Sequence, residues 1–207
     1  MSKVYFGGLG IAAFFALCVA GAPSKGIQQK AGLTVKQDAA QVVLRWNGAV
    51  EAPMLERFKE AFEQLEDDER PILISLNSPG GFVEHGRAIM SLIHQQSRNH
   101  TINTIVEAGN SCASMCVPIY LVGETRMAHP AAKFMFHEAS FRAPIPSMYY
   151  KAVVNKVTDQ LFDDDIGGRS VDGKWLTHMR ERVRGRDVWL TGRQLMDQGS
   201  GVVDKLM

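Results

Sequence analysis

Short apolar runs alternate with stretches of helical spacing between residues 42 and 125 of this 207-residue chain. The runs at 42–46, 71–76 and 101–107 are rich in β-branched and other apolar residues, as buried strands are. Segments 54–65 and 83–95 lie between them and carry apolar residues three or four positions apart, as on one face of a helix. Such alternation predicts parallel βαβ units with right-handed crossovers, and therefore an α/β fold.

The rest of the chain is predicted to contain more helix than strand. Residues 133–137 have strand character, whereas 148–166 and 175–183 have helical spacing. Thr191 is a candidate N-cap for a further short helix. Pro118 requires the short buried helix around it to bend or to start late.

The first 22 residues have the pattern of a secretory signal peptide. Lys3 supplies positive charge, residues 4–19 are apolar or glycine, and small residues follow. We therefore expect an exported, periplasmic protein in which 23–40 is a polar linker and 41–207 is the folded domain. The alternative is an uncleaved membrane anchor, because an apolar run of about sixteen residues is marginal for spanning a bilayer. Contact with a membrane is expected only through this segment.

The charge balance, the motifs and the cysteines of the sequence give no support to several other classes of function. Lys and Arg number 23 against 22 Asp and Glu, a formal net charge of +1 that gives no reason to propose a nucleic acid partner. The sequence has no GxxxxGK[ST] phosphate loop, so the chain itself has no sequence basis for ATP hydrolysis. Of the three cysteines, Cys18 lies in the predicted signal peptide, and the other two, without nearby paired histidines, do not complete a tetrahedral metal set, so we expect neither metal nor cofactor.

A proline–glycine turn follows the strand predicted at 71–76. In residues 78–81 the proline fixes one φ angle, and the two glycines permit backbone geometry that other residues avoid. An N–H group from such a turn can point into a cleft and stabilise a developing oxyanion. The same residues also form ordinary tight turns, so this motif alone identifies no activity.

Three polar residues further along the chain have the chemistry that would complete such a site. Ser114 lies among small residues, after a predicted strand and turn and at the start of a buried helix. His137 ends an apolar run, and Asp187 precedes a short apolar segment. A serine activated by a neighbouring histidine base is the nucleophile of many hydrolases. Taken singly, each residue is more often structural: Ser114 and His137 in the core, and Asp187 on the surface.

Cys112 and Cys116 flank Ser114 symmetrically, two positions before it and two after it. In an oxidising compartment this pair could form a local disulfide that braces the serine-bearing turn. The alternative is that both are small apolar side chains packed around the turn. On a regular helix, residues four apart often have poor Cβ directions for a disulfide. The sequence leaves the two interpretations open.

The order of four short blocks resembles that of the proteolytic subunit of the Clp protease family. The blocks are SPGG at 78–81, ASM at 113–115, FMFH at 134–137 and RDVWLTGRQLMDQGSGVVD at 186–204. The resemblance covers about residues 40–207. It implies an α/β fold of the ClpP/crotonase-like type, a spiral of ββα units with an extended C-terminal helical arm.

The resemblance also implies roles for five residues. Ser114 corresponds to the nucleophile, His137 to the general base and Asp187 to the third member of the triad. Gly81 and Met115 match the positions whose backbone N–H groups form the oxyanion hole. The implied activity is that of a serine-type peptidase that forms an acyl-enzyme on peptides or unfolded proteins, and the implied assembly is a homo-oligomer.

Export would separate this protein from the cytosolic members of the family, which work as stacked rings fed by an ATP-driven unfoldase. An exported chain has no ATP supply, so an ATP-independent periplasmic peptidase is the leading hypothesis. A crotonase-type acyl-thioester enzyme and a non-catalytic envelope scaffold are the alternatives. Export counts against the first of these, because coenzyme A esters are cytosolic.

Overall fold

A computed structural model describes residues 32–141 and 146–207 of the chain, and within these ranges it contains two β-sheets. The larger sheet has six strands, in the spatial order β1 (Gly32–Gln37), β2 (Val42–Asn47), β3 (Ile72–Asn77), β4 (Ile102–Val106), β6 (Arg126–Ala128) and β9 (Lys205–Leu206). The smaller sheet has three strands, in the order β5 (Ser111–Ala113), β7 (Lys133–Phe136) and β8 (Val188–Thr191).

Six α-helices connect or cover these strands within the described residues. They are α1 (Met54–Glu63), α2 (Val83–Gln96), α3 (Cys116–Tyr120), α4 (Ser147–Leu161), α5 (Gly173–Arg182) and α6 (Gly192–Asp197). A π-helical turn over Phe162–Ile166 continues α4. The helices and strands predicted between residues 42 and 106 all form, with boundaries that differ by one or two residues from the predicted ones.

The predicted parallel βαβ arrangement is confirmed in the larger sheet. Strands β2, β3, β4, β6 and β9 all run parallel, and α1 and α2 form the crossovers from β2 to β3 and from β3 to β4. The apolar face of α1 buries Phe58 and Phe62, whose rings lie 6.2 Å apart. Full burial of such a side chain stabilises the fold by about 1.5–3 kcal/mol.

Strand β1 lies within the segment that was expected to be a polar linker. It pairs antiparallel with β2 from Gly32↔Asn47 to Gln37↔Val42, so the sheet extends at least to residue 32. Four of its six residues are exposed. The apolar alternation of β1 is limited to Leu33 and Val35, too short a pattern to predict a strand, and backbone pairing stabilises this edge strand. The predicted signal peptide and the first part of the linker lie outside the described residues.

Two local features of the helices follow directly from their sequences. Thr191 caps α6 through a capping box, accepting a hydrogen bond from the Gln194 N–H at 3.1 Å while the Gln194 side chain accepts one from the Thr191 N–H at 2.8 Å. Helix α3 starts at Cys116, which places Pro118 in its first turn, where no internal N–H bond is lost. Both predictions are confirmed.

The long helix predicted at 148–166 is interrupted near its end. Helix α4 stops at Leu161, and the π-helical turn that follows includes Asp163, Asp164 and Asp165. Three consecutive acids are typical of an exposed helix end, but Asp165 is only 4% exposed and forms an ion pair with Arg87 of α2. Among the described residues, no helix is both long and apolar enough to span a membrane.

Candidate active site

The two sheets meet at the point where β3 ends. Ser78 follows the last residue of β3 and forms an isolated parallel bridge with Cys112 of β5. Its N–H donates to the Ser111 carbonyl at 2.8 Å, and its carbonyl accepts from the Ala113 N–H at 3.0 Å. This junction places the proline–glycine turn directly beside the strand that leads to Ser114.

Ser114 occupies the sharp turn between β5 and α3. Its φ angle is +53°, in the left-handed region that non-glycine residues seldom adopt. Its N–H donates to the Met135 carbonyl at 2.9 Å, which holds this conformation in place. A strained turn between a strand and a helix presents a serine hydroxyl outward, as nucleophiles of hydrolases require.

His137 lies within hydrogen-bond distance of this hydroxyl. Its Nε2 is 2.6 Å from Ser114 Oγ, and both side chains are half-buried. The reason is topological: β5 and β7 are parallel neighbours with Ala113 paired to Met135, so the residues that follow the two strands emerge at the same sheet edge. A hydroxyl donating to an unprotonated Nε2 is the arrangement of a nucleophile and its general base.

Two backbone N–H groups beside Ser114 are available as donors. The Gly80 carbonyl accepts a hydrogen bond from the Val50 N–H, and the Phe82 N–H donates to the Val50 carbonyl; Gly80 has φ +89°. In a parallel bridge of this kind the N–H of the middle residue, Gly81, points away from Val50. Neither the Gly81 N–H nor the Met115 N–H has an acceptor in the part of the chain that the structure describes. A Cβ on Gly80 would lie 2.6 Å from Ser114 Cβ, so this turn packs against the nucleophile. Unpaired donors there can stabilise an oxyanion.

Asp187 lies across from His137 but does not bond to it. The last pair in the antiparallel β7–β8 ladder is Phe136↔Val188, and His137 and Asp187 are the next residues outward. The Asp187 side chain is exposed and has no hydrogen bond or ion pair within 32–141 and 146–207. The structure therefore brings Ser114 and His137 into contact and leaves Asp187 beside them without a bond.

Cys112 and Cys116 form a disulfide around this turn, with Cα atoms 5.2 Å apart and both side chains buried. The bond encloses Ala113, Ser114 and Met115. The geometric objection raised by helical spacing does not apply, because only Cys116 lies in α3 and Cys112 lies in β5. In the described residues, no group of three or more His, Cys, Asp or Glu side chains is arranged to hold a metal ion.

Two contacts near the site involve residues that sequence reasoning did not single out. Gly86 of α2 packs against Met115, and an added Cβ would lie 2.4 Å from Met115 Cγ. Glu138, which follows His137, accepts a hydrogen bond from the Gly185 N–H at 3.0 Å. A glycine inside the helix predicted at 83–95 is the sequence signal for the first contact, because an interior glycine often has a packing reason. Nothing in the sequence pointed to the second, because its partner is 47 residues away.

A hydroxyl in contact with a histidine, beside two unpaired amide donors on an α/β scaffold, has the geometry of a serine hydrolase. Comparison with protein-family models identifies which family of serine hydrolases the chain is similar to. The Clp protease model matches residues 37–152, more than half of the chain, and the chain belongs to that family. Membership supports a serine peptidase in general terms.

Comparison with solved structures shows the fold. A point mutant of ClpP1 from Listeria monocytogenes superposes with a TM-score of 0.62 at 22% sequence identity, covering 80% of this chain and 90% of that one. The α/β fold of ClpP/crotonase type that the sequence predicted is thereby confirmed. No curated protein matches the sequence.

Proposed function

We propose that this protein is an exported serine peptidase that cleaves peptide bonds in peptides or unfolded proteins of the periplasm, without ATP. The contact of 2.6 Å between Ser114 Oγ and His137 Nε2 carries the proposal. The unpaired N–H groups of Gly81 and Met115 support it, as does membership of the Clp protease family. Members of this family form homo-oligomeric rings, and we extend the proposal to a homo-oligomer.

The proposed reaction follows from the positions of these groups. His137 Nε2 accepts the Ser114 proton while Oγ attacks the carbonyl carbon of the scissile peptide bond. The resulting oxyanion accepts hydrogen bonds from the N–H groups of Gly81 and Met115, each donor of this kind contributing about 10²–10³ in rate. His137 then protonates the departing amine, and water activated by His137 hydrolyses the acyl-enzyme.

Asp187 has the role of stabilising the imidazolium in this scheme. It lies opposite His137 in the strand register but is not bonded to it. Hydrogen bonds of catalytic groups are often loose in the absence of substrate and tighten in the reacting complex. We therefore assign Asp187 to the triad in the substrate-bound enzyme.

Labelling with a fluorophosphonate probe tests the proposed activity. Mature protein, with and without a thiol reductant, is treated with the probe, and the modified residue is located by mass spectrometry. We expect one label, on Ser114, and none in the Ser114→Ala variant. Ser91→Ala is the matched control, because Ser91 is an exposed serine on the surface of α2 and should not change labelling.

Failure of the wild type to label under both conditions would contradict the proposal. That result would favour the second candidate, a non-catalytic envelope scaffold, for which the unbonded Asp187 is the supporting observation. Export is tested separately by determining the N-terminal residue and the cell fraction of the native protein. Recovery of full-length protein in the cytosol would contradict a periplasmic location.

A further inference from the structure

Glu138 closes a small ring of contacts around His137 and Asp187. At one side of the ring, Phe136 of β7 pairs with Val188 of β8. At the other, the Glu138 carboxylate accepts the Gly185 N–H at 3.0 Å. The only residues between these two contacts are His137, which follows β7, and Arg186 and Asp187, which precede β8. Asp187, the acid of the proposed triad, is therefore held between two fixed points.

The ring is asymmetric, since one residue faces two. A β-bulge has the same residue count and also re-aims side chains beside active sites, but here one boundary is the Glu138 side-chain bond and not a ladder pair. Because these residues continue the register of the β7–β8 ladder, a slip of one residue would place Arg186 instead of Asp187 opposite His137. A carboxylate there stabilises the imidazolium that forms during acyl transfer, whereas a guanidinium destabilises it.

The turn that precedes Asp187 needs such a fixed point. Gly185 has φ +71°, and the Arg186 N–H donates to the Val183 carbonyl at 3.2 Å, a long bond. The other side-chain contacts of this turn are on its surface: Arg184 with Asp159 at 3.0 Å, and Arg186 Nε with the Arg182 carbonyl at 2.7 Å. Neither of them joins the turn to β7. Among the described residues, Glu138 provides the side-chain bond that does so.

We propose that Glu138 is a positioning residue, whose carboxylate oxygen fixes the 185–187 turn so that Asp187, and not Arg186, faces His137. This inference rests on the proposed peptidase function and adds a residue to it. Glu138 acts through Asp187 and does not touch the reacting atoms. The effect requires a hydrogen-bond acceptor at this position but not a negative charge.

Four variants and one control separate this role from a merely structural one. Glu138→Ala removes the acceptor, and we expect kcat for a peptide ester to fall by about 100-fold, the effect of misplacing a catalytic group by about 1 Å, with KM changing less than about twofold. Glu138→Gln keeps an acceptor oxygen and should retain nearly full activity. Asp187→Ala combined with Glu138→Ala should be no slower than Asp187→Ala alone. Glu124→Ala, an exposed acid elsewhere, is the control.

The outcomes are distinguishable from failure of the proposed function. If the wild type neither labels nor hydrolyses the ester, the peptidase proposal and this inference both fall. An active wild type with an equally active Glu138→Ala variant would overturn the inference alone, as would a Glu138→Gln variant as slow as Glu138→Ala, or additive losses in the double variant. Hydrogen exchange at the Gly185 amide, measured in a Ser114→Ala background, should be fast only when Glu138 is alanine.

Discussion

The contact between Gly86 and Met115 links a helix position to the oxyanion site. An alanine Cβ at position 86 would lie 2.4 Å from Met115 Cγ and 2.6 Å from Met115 Cε, distances that real Cβ atoms do not adopt. Met115 is buried, and its backbone N–H is one of the two proposed oxyanion donors. A displaced Met115 side chain would therefore disturb both the packing and the donor.

Replacement of Gly86 by alanine is expected to destabilise the protein despite the better helix propensity of alanine. Propensity favours alanine by about 1 kcal/mol, but overpacking of a core typically costs about 1–3 kcal/mol. We expect a lower urea midpoint and slower probe labelling.

Gly173→Ala is the matched control for this change. Gly173 is also helical, but a Cβ there meets no atom within 4 Å, so its midpoint should stay level or rise. Adding Met115→Ala to Gly86→Ala should remove the clash and restore part of the labelling rate. A Gly86→Ala variant as stable and reactive as the wild type would show that α2 can shift without affecting the site.

Sequence reasoning placed Ser114 after a strand and a turn, which the structure has, but it could not supply the backbone angle of that residue. A serine at φ +53° is held by contacts remote in sequence, the Met135 carbonyl in particular. The position of Ser114 in its motif predicts that a turn presents its side chain. The dihedral angle depends on a neighbouring strand that is 21 residues away and cannot be read locally.

At the scale of elements, one carboxylate joins three parallel strands. Glu107, just after β4, accepts hydrogen bonds from Arg45 of β2 at 3.0 and 2.8 Å and from the Ser75 hydroxyl of β3 at 2.8 Å. The hydrogen bonds from Arg45 lower the pKa of Glu107, burial opposes them, and the Ser75 hydroxyl adds to the lowering. The ionised form is thus favoured by folding.

This pKa shift predicts how the stability contributed by Glu107 depends on pH. A carboxyl whose pKa is lower in the folded state contributes its full stability above its ordinary value of 4.5 and loses it as the pH falls through the folded value. Glu107→Gln should therefore be less stable than the wild type at pH 7, and the gap should narrow as the pH falls below about 4.5. Urea unfolding between pH 3 and pH 7 measures the gap. A gap that does not change with pH would mean that the ion pair adds no stability.

The order of the elements was predictable, because it depends on local periodicity, but some of their ends were not. The π-helical turn that follows α4 contains Asp165, whose partner Arg87 lies 78 residues earlier, at 3.0 and 2.9 Å. Three consecutive acids read as a solvated helix end unless that partner is known. Strand β1 was missed because only Leu33 and Val35 alternate in it, and its pairing with β2 cannot be read from so short a pattern.

At the scale of the whole molecule, the start of α4 has an unusually apolar surface. Met148 is 78% exposed, Tyr149 59% and Tyr150 46%. Contiguous apolar side chains of this size are uncommon on the surface of a monomer. Since the family forms homo-oligomeric rings, a second copy of the chain is the occupant that we expect.

A double substitution of Met148 and Tyr149 by serine is therefore expected to lower the mass of the particle in solution. Light scattering coupled to size exclusion gives this mass directly. Met207→Ser, at another exposed apolar residue, should leave the mass unchanged. A wild-type monomer, or an unchanged mass in the double variant, would contradict the role assigned to this surface.

The short strands of the smaller sheet limit where insertions and deletions could occur without displacing the residues of the site. Ser114, His137 and Asp187 each adjoin an end residue of one of three strands that are only three or four residues long. A single codon gained or lost inside β5, β7 or β8 would rotate one of these side chains to the opposite face of the sheet. Whole loops could be exchanged elsewhere with less effect. Lineages descended from this chain should therefore vary freely in loop length while keeping these three strands at constant length.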